Sequence, residues 1–231
     1  MKKKLVVLTG AGISAESGIK TFRDSGGLWE GYDVMEVASP EGWRKNPALV
    51  LEFYNRRRKN VTEVHPNAAH FGLAELEKDY DVHVITQNID DLHERAGSSK
   101  VVHLHGEIFR MRSEKSLSPS YEIRGDINLG DLAPDGSQLR PDIVWFGEEV
   151  PVMHIAEQIA SNADIFVVVG TSMLVYPAAG LIDFVPHGCP KYIIDKVIPH
   201  VSARNIFGIE KPATQGVREL QEILKKVSSK S

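Results

Sequence analysis

Two short stretches carry side chains that a buried sheet has no use for: TQNIDDLHERAG, Thr86 to Gly97, and VVHLHGE, Val101 to Glu107. Gln87, Asn88 and Asp90 supply two amides and an acid directly after one apolar run, and His105 supplies an imidazole at the end of the next. Amides and a carboxylate orient the hydroxyl and amide groups of a small ligand. An imidazole, with an unperturbed pKa of about 6.5, takes up a proton near neutral pH. Loop capping is the simpler reading of Asn and Asp in such places, and Asp90 can cap a helix that begins near Leu92. It does not explain why imidazole, amides and acid converge on one edge. His83, His93 and His103 read as structural and are assigned no chemistry.

A glycine-containing turn shares that edge. LTGAGISAESGI follows the first apolar run and opens a helical stretch. Small residues there let the backbone approach a pyrophosphate, with Gly10, Gly12 and Ser14 as the close-approach positions. The spacing departs from G-x-G-x-x-G, so alone it reads equally as a turn that packs a helix on a sheet. A second small-residue turn, VVVGTSMLVYP, adds Gly170, Thr171 and Ser172. Two such turns at one edge favour a dinucleotide.

The elements that position these residues are short apolar runs typical of strands covered on both faces: Leu5–Thr9, Val82–Thr86, Val101–His105, Ile165–Gly170 and Lys191–Asp195. Amphipathic helical patterns lie between them: NAAHFGLAELEKDY with Asn67 as cap and Ala69, Leu73 and Leu76 on one face, then MHIAEQIASNA and GVRELQEILKKV. Strands alternating with helices predict an α/β, doubly wound parallel sheet. Two stretches break the alternation. Residues 21–64 lack a strand pattern and hold a helix around PALVLEFYNRRRKNV; residues 109–141 are polar with turn residues throughout. Both read as insertions that form a smaller lobe, with a ligand cleft between it and the sheet.

At 231 residues the chain suits one large core with an appended lobe. A net charge of −4 gives no global attraction to nucleic acid or an anionic membrane. One cysteine, Cys189, excludes an intramolecular disulfide and a cysteine-rich zinc site, and fits a reducing, cytoplasmic setting. MKKKLVVLTGAG reads as a buried first strand rather than a signal peptide. No apolar stretch approaches the roughly 20 residues of a membrane span.

Taken together, GAGISAESGIKTFR, TQNIDDLHERAG, HLHGE, VWFGE and GTSMLVYPA resemble the sirtuins, NAD-dependent protein lysine deacylases, over nearly the whole chain. The resemblance implies a Rossmann-like doubly wound sheet from residues 1–20, 65–105 and 142–231, and a small lobe from insertions 21–64 and 106–141. It implies NAD as co-substrate, an acylated lysine as partner, no nucleic acid or membrane partner, and a monomer by default. It makes His105 the catalytic base. Asn88 and Asp90 hold the nicotinamide ribose and amide, and Gln87 contacts a ribose. Ile89, Gly10, Ala11, Gly12, Ser14, Ala15, Gly170, Thr171 and Ser172 are its further NAD contacts, with Asp195 and Ala213 toward the adenosine side. Phe22 and Arg23 match a loop that closes over NAD. The chemistry implied is attack of the acyl-lysine amide oxygen on the ribose C1′, loss of nicotinamide, and His105-assisted attack of a ribose hydroxyl on the resulting imidate. The products are lysine and O-acyl-ADP-ribose. Val144 and Phe146 match an apolar lysine channel, and the backbone of Gly147 and Glu148 pairs with the substrate peptide.

Tyr54 and Arg57 are three apart on a helix and share a face. Phenol and guanidinium together bind a carboxylate, and the pair resembles that of sirtuins that remove succinyl and malonyl groups. Arg56, Arg58 and Lys59 read as a solvated helix face. The sequence departs from the family in lacking the two cysteine pairs that hold a structural zinc; Ser113 stands at the first position. A metal-free lobe is expected, held by packing of Ile108, Leu117, Tyr121, Ile127 and Leu132. Lys20 stands where proline is usual, and Asp195 where asparagine is common. The alternatives are mono-ADP-ribosyl transfer from the same NAD site, or an NAD-sensing module without turnover.

Overall fold

The computed structural model describes residues 2–20, 28–29, 31–199 and 204–228. Its main sheet is built from β1 (Lys4–Thr9), β4 (Asp81–Thr86), β5 (Val101–His103), β9 (Ile165–Val169), β10 (Lys191–Asp195) and β11 (Ile206–Glu210). These six strands are parallel and lie in the order β11-β10-β9-β1-β4-β5. Alternate side chains leave each strand on opposite faces. Leu5, Val7, Val82, Val84, Val167 and Ile194 pack under helices α5 (Ala68–Glu75) and α9 (Ala213–Ser228). Val6, Leu8, Ile85, Phe166, Val168 and Ile193 pack under α7 (Met153–Ser161) and α8 (Leu181–Phe184). Both faces are covered, which is why these strands read as unbroken apolar runs.

β1 is central, with β4 and β5 on one side and β9, β10 and β11 on the other. The order of the chain therefore reverses between β1 and β9, the crevice where doubly wound sheets bind ligands. Asn67 caps α5 as expected: its Oδ1 accepts from the Ala69 amide at 2.9 Å, and His70 returns the reciprocal bond to the Asn67 amide.

Between these elements lie α1 (Ala11–Ala15), the short pair β2 (Leu28–Trp29) and β3 (Tyr32–Asp33), then α2 (Val34–Val37), α3 (Pro40–Lys45) and α4 (Pro47–Glu63), and after β4 the short α6 (Leu92–Arg95). A second, antiparallel sheet is formed by β6 (Gly106–Ser113), β7 (Ser120–Glu122) and β8 (Leu139–Ile143), in the order β7-β6-β8. Its core joins Val50, Phe53, Tyr54 and Val61 of α4 to Ile108, Ile127, Ile143 and Trp145.

Several expectations are corrected here. Residues 21–64 do hold a strand pair, too short for a periodic signal, and 109–141 carry most of a sheet rather than turns throughout. β5 stops at His103, and His105 stands in the turn into β6. β11 goes unread because Gly208 interrupts it and only Ile209 is buried. Leu117 and Leu132 are each 60% exposed and take no part in the packing expected of them, whereas Ile108 and Ile127 are buried. Arg58 is buried, not solvated. Among the described residues no helix is long and apolar enough to cross a membrane, and no group of three or more His, Cys, Asp or Glu side chains could hold a metal ion.

Candidate functional site

β1, β4 and β9 end side by side, so the turns that follow them meet. The Gly10 amide donates to Val169 O at 3.0 Å and the Gly12 amide to Gly170 O at 2.8 Å. The glycines follow from this contact. A Cβ on Gly12 would lie 2.6 Å from the Gly170 Cα, and one on Gly10 would lie 2.7 Å from the Thr171 Cβ. Gly170 sits at φ +64, where its own Cβ would come within 2.4 Å of the Ile13 amide. Of the two readings left open by the sequence, turn packing accounts for these positions directly, and it leaves a joint floor built of backbone with few side chains.

A hydrogen-bonded chain rises beside that floor. Asn88 donates from Nδ2 to Gly10 O and to Ser14 Oγ, both at 3.1 Å. Ser14 Oγ donates to Asp90 Oδ2 at 3.1 Å, and Asp90 Oδ1 accepts the Leu92 amide at 3.2 Å. Asp90 thus accepts the first amide of α6 with one oxygen and serves the chain with the other, while Asp91 stands at the N-cap position itself. Burial pushes its pKa up, opposed by the Leu92 amide, the Ser14 hydroxyl and the charge of His103. Gln87 donates to Thr171 Oγ1 at 3.1 Å, tying the β4 loop to the second turn.

His105 stands at the mouth with Nδ1 3.0 Å from Gln87 O. A carbonyl only accepts, so Nδ1 carries the proton and Nε2 presents a lone pair. Burial lowers the pKa and the Gln87 bond partly restores it, leaving the ring below its ordinary value. At neutral pH it is a neutral base. The Val144 amide donates to His105 O at 2.9 Å, which fixes the backbone of the base to the segment after β8.

Tyr54 and Arg57 project from α4, both buried. Tyr54 Oη accepts from Trp145 Nε1 at 3.1 Å, so its own proton is left to donate elsewhere. Burial pushes this phenol up to about 12, against the charge of Arg57, and it stays protonated. The Arg57 guanidinium lies over the Trp29 ring, 4.3 Å from its centroid. Trp145 is held in turn by Arg140, stacked 3.2 Å from its ring centroid. Tyr54 and Arg57 are legible in the sequence by their spacing, whereas Trp145 and Arg140 go unnoticed there; the tryptophan of VWFGE is the available signal.

The remaining candidates are distributed as follows. Val144 is half-buried and Phe146 exposed. Phe146 and Gly147 form a turn closed by the Glu148 amide on Trp145 O at 3.0 Å, so that amide is already engaged, while Gly147 is exposed. The Glu148 carboxylate accepts from Arg140 at 2.7 and 3.2 Å. Ala11, Ala15 and Ser172 are half-buried and Ile89 buried, all on the turns described. Asp195 ends β10 and accepts the Val197 amide at 3.3 Å. Ala213 begins α9, where the Thr214 amide and hydroxyl donate to the Glu16 carboxylate at 3.0 and 2.8 Å. Phe22 and Arg23 lie outside the described residues. Leu174 and Tyr176, 79% and 74% exposed on the segment after Gly170, carry no signal in the sequence that marks them out.

Residues 10–177 match the model of the Sir2 family. The chain is 54% identical over 228 residues to the NAD-dependent protein deacylase of Helicobacter pylori strain J99, covering 98% of this chain and 97% of that one. It is 55% identical over 229 residues to the NAD-dependent protein deacylase of Bacteroides thetaiotaomicron, covering 96% and 98%. Among solved structures, a Sir2 homolog–NAD complex is similar with a TM-score of 0.87 at 39% identity, over 98% of this chain and 91% of that chain. Sir2 bound to acetylated peptide gives a TM-score of 0.80 at 31% identity, over 96% and 93%.

Proposed function

The chain belongs to the Sir2 family, and from that premise we propose that it is an NAD-dependent protein lysine deacylase that accepts succinyl- and malonyl-lysine as well as acetyl-lysine. The observation that carries the reading is His105. It is a neutral imidazole with Nδ1–H committed to Gln87 O and Nε2 available as base, set beside the chain of Asn88, Ser14 and Asp90.

The residues suit a dinucleotide. Gly10, Gly12 and Gly170 keep side chains out of the meeting point of the two turns, and Asn88, Asp90 and Gln87 converge there with both donors and acceptors. When bound, NAD supplies an electrophilic ribose carbon with nicotinamide as leaving group. The chain does the rest by holding and by moving one proton. Asn88 and Asp90 orient amide and hydroxyl groups, and the bond from Ser14 keeps the Asp90 acceptor fixed. His105 Nε2 takes a proton from a hydroxyl, the step for which a depressed but still titratable imidazole is suited.

Acyl choice lies with Tyr54 and Arg57. A protonated phenol whose oxygen already accepts from Trp145, beside a guanidinium, offers donors to a carboxylate at the far end of an acyl chain. The exposed Phe146, Leu174 and Tyr176 and the backbone of Gly147 give apolar and hydrogen-bonding surface for the lysine stem and its peptide.

Mass spectrometry after incubation with NAD and a succinyl-lysine peptide tests the reading. Loss of the acyl group with formation of O-acyl-ADP-ribose is expected. ADP-ribose attached to protein would instead indicate a transferase, and no change an NAD-sensing module.

A further inference from the structure

His103 has no part in the chemistry above, yet its ring grips the same loop as the base. It ends β5 with Nδ1 3.0 Å from Asn88 O and Nε2 2.8 Å from Glu94 Oε1. Its side chain is 9% exposed. A carbonyl and a carboxylate both accept, so both ring nitrogens donate and the ring is an imidazolium. His105, two residues on, bonds the preceding carbonyl, Gln87 O, through one nitrogen only. Two histidines thus hold consecutive carbonyls of one loop in opposite charge states.

We propose that His103, clamped by Glu94, is a positioning residue: its Nδ1–H holds the Asn88 carbonyl, between the side chains of Asn88 and Asp90, and the ring sets a positive charge in the cleft that Asp90 also lines. The effect on turnover rests on the deacylase reading; the charge state of the ring does not. The groups around it are Glu94 and neutral His93 from α6, Glu107 and Arg110 from β6, Asp90 and Asp91 from the loop, Glu122 from β7 and Arg124 after it. These groups, His93 apart, line a cleft of about 200 Å³ on the outer side of the loop. Arg124 is drawn to Asp91 at 3.5 Å and lies over Phe109. Burial pushes the His103 pKa down, but Glu94, the Asn88 carbonyl and Glu107 outweigh it and leave the ring above its ordinary value. In turn, His103 is one of the groups that hold the Asp90 pKa down.

His103 has a raised folded pKa, so its contribution is complete below about pH 6.5 and is lost as pH rises through the raised value. His105 has a depressed one, so the base is available above it. Activity against pH therefore rises on His105 and falls on His103.

Nitrogen NMR of the histidine rings in the full chain, without NAD or peptide, tests the charge state. The His103 signals, assigned by their loss in His103→Gln, are expected to show two protonated nitrogens at pH 7. In Glu94→Gln the ring should titrate about one unit lower. A singly protonated ring in the wild-type chain, or a titration indifferent to Glu94→Gln, overturns the proposal. The positioning role is read from the Asp90 carboxylate carbon, whose pKa should rise in His103→Gln; no change overturns that role whether or not the chain is a deacylase. With succinyl-lysine peptide, Glu94→Gln should move the alkaline limb of kcat/KM down by about one pH unit and leave the acid limb in place. A profile merely scaled down contradicts the proposal. Absence of turnover in the wild-type chain counts against the deacylase reading, and the ring and carboxylate titrations then decide the proposal by themselves.

Discussion

The ligand edge of the six-stranded sheet and the small antiparallel sheet beside it bury polar groups in opposite ways. At the edge, the buried groups are mostly neutral and short: Ser14, Asn88 and Thr171, with buried Asp90 and half-buried His103 as the ionisable members. In the small sheet and α4 four of them are guanidiniums, at Arg57, Arg58, Arg112 and Arg140, beside the short Ser113 and Ser137. Arg58 is 1% exposed and joins Ile108 O at 2.8 Å, Asn55 Oδ1 at 2.8 Å and Gly125 O at 3.2 Å. Burial lowers its pKa to about 10, with Asp126 opposing, so it remains a cation. Arg112 pairs with Asp142 at 3.2 Å, and Arg140 forks onto Glu148. Planar cations with five donors serve as cross-links where apolar residues are few. The edge is arranged to act on a ligand; the small sheet is arranged to stay folded and to present Tyr54 and Arg57.

If that division is right, substitutions should separate cleanly. His105→Ala should lower kcat about 10²- to 10⁴-fold, while loss of its one hydrogen bond to Gln87 O should cost no more than about 1 kcal/mol in urea denaturation. A larger loss of stability would show that the edge is structural after all. Arg58→Met should do the reverse. It strands two backbone carbonyls, leaving Asn55 Oδ1 only the Ile127 amide, at a cost of about 3 kcal/mol in urea denaturation, while NAD binding by the folded fraction is kept. The smallest effect is expected at Ser113. Its hydroxyl donates to Asp135 Oδ2 at 2.6 Å and accepts the Lys115 amide at 3.1 Å, closing the loop after β6. Ser113→Ala should cost about 1 kcal/mol, measured the same way, and leave kcat untouched.

The same contrast explains what the sequence disclosed. The main sheet is covered on both faces, so its strands appear as runs such as Leu5–Thr9 and Lys191–Asp195, and the polar residues that end them stand out. The small sheet hides its pattern. In Gly106–Ser113, Phe109 and Met111 alternate with Arg110 and Arg112, and Arg112 is buried by partners distant in sequence, Asp142 among them. Arg58 looks like a solvated residue for the same reason, because its backbone acceptors lie fifty or more positions away. Leu117 and Leu132 look like core and are not, since the polar closures around Ser113 and Gln138 hold their loops instead. The glycines of the two turns were legible as a site but not for their reason, which is the contact between the turns. His103 could not be told from a core histidine until Asn88 and Glu94 were seen at its two nitrogens.

The central claim is that the sheet edge performs the chemistry and α4 selects the acyl group. Its most direct test is kcat/KM for matched succinyl- and acetyl-lysine peptides with NAD, in the wild-type chain and in Arg57→Met. Loss of one charge-assisted recognition of about 1.5–3 kcal/mol should lower the ratio of desuccinylation to deacetylation about 10- to 100-fold, with deacetylation largely retained. An unchanged ratio, or an equal fall in both activities, would contradict it.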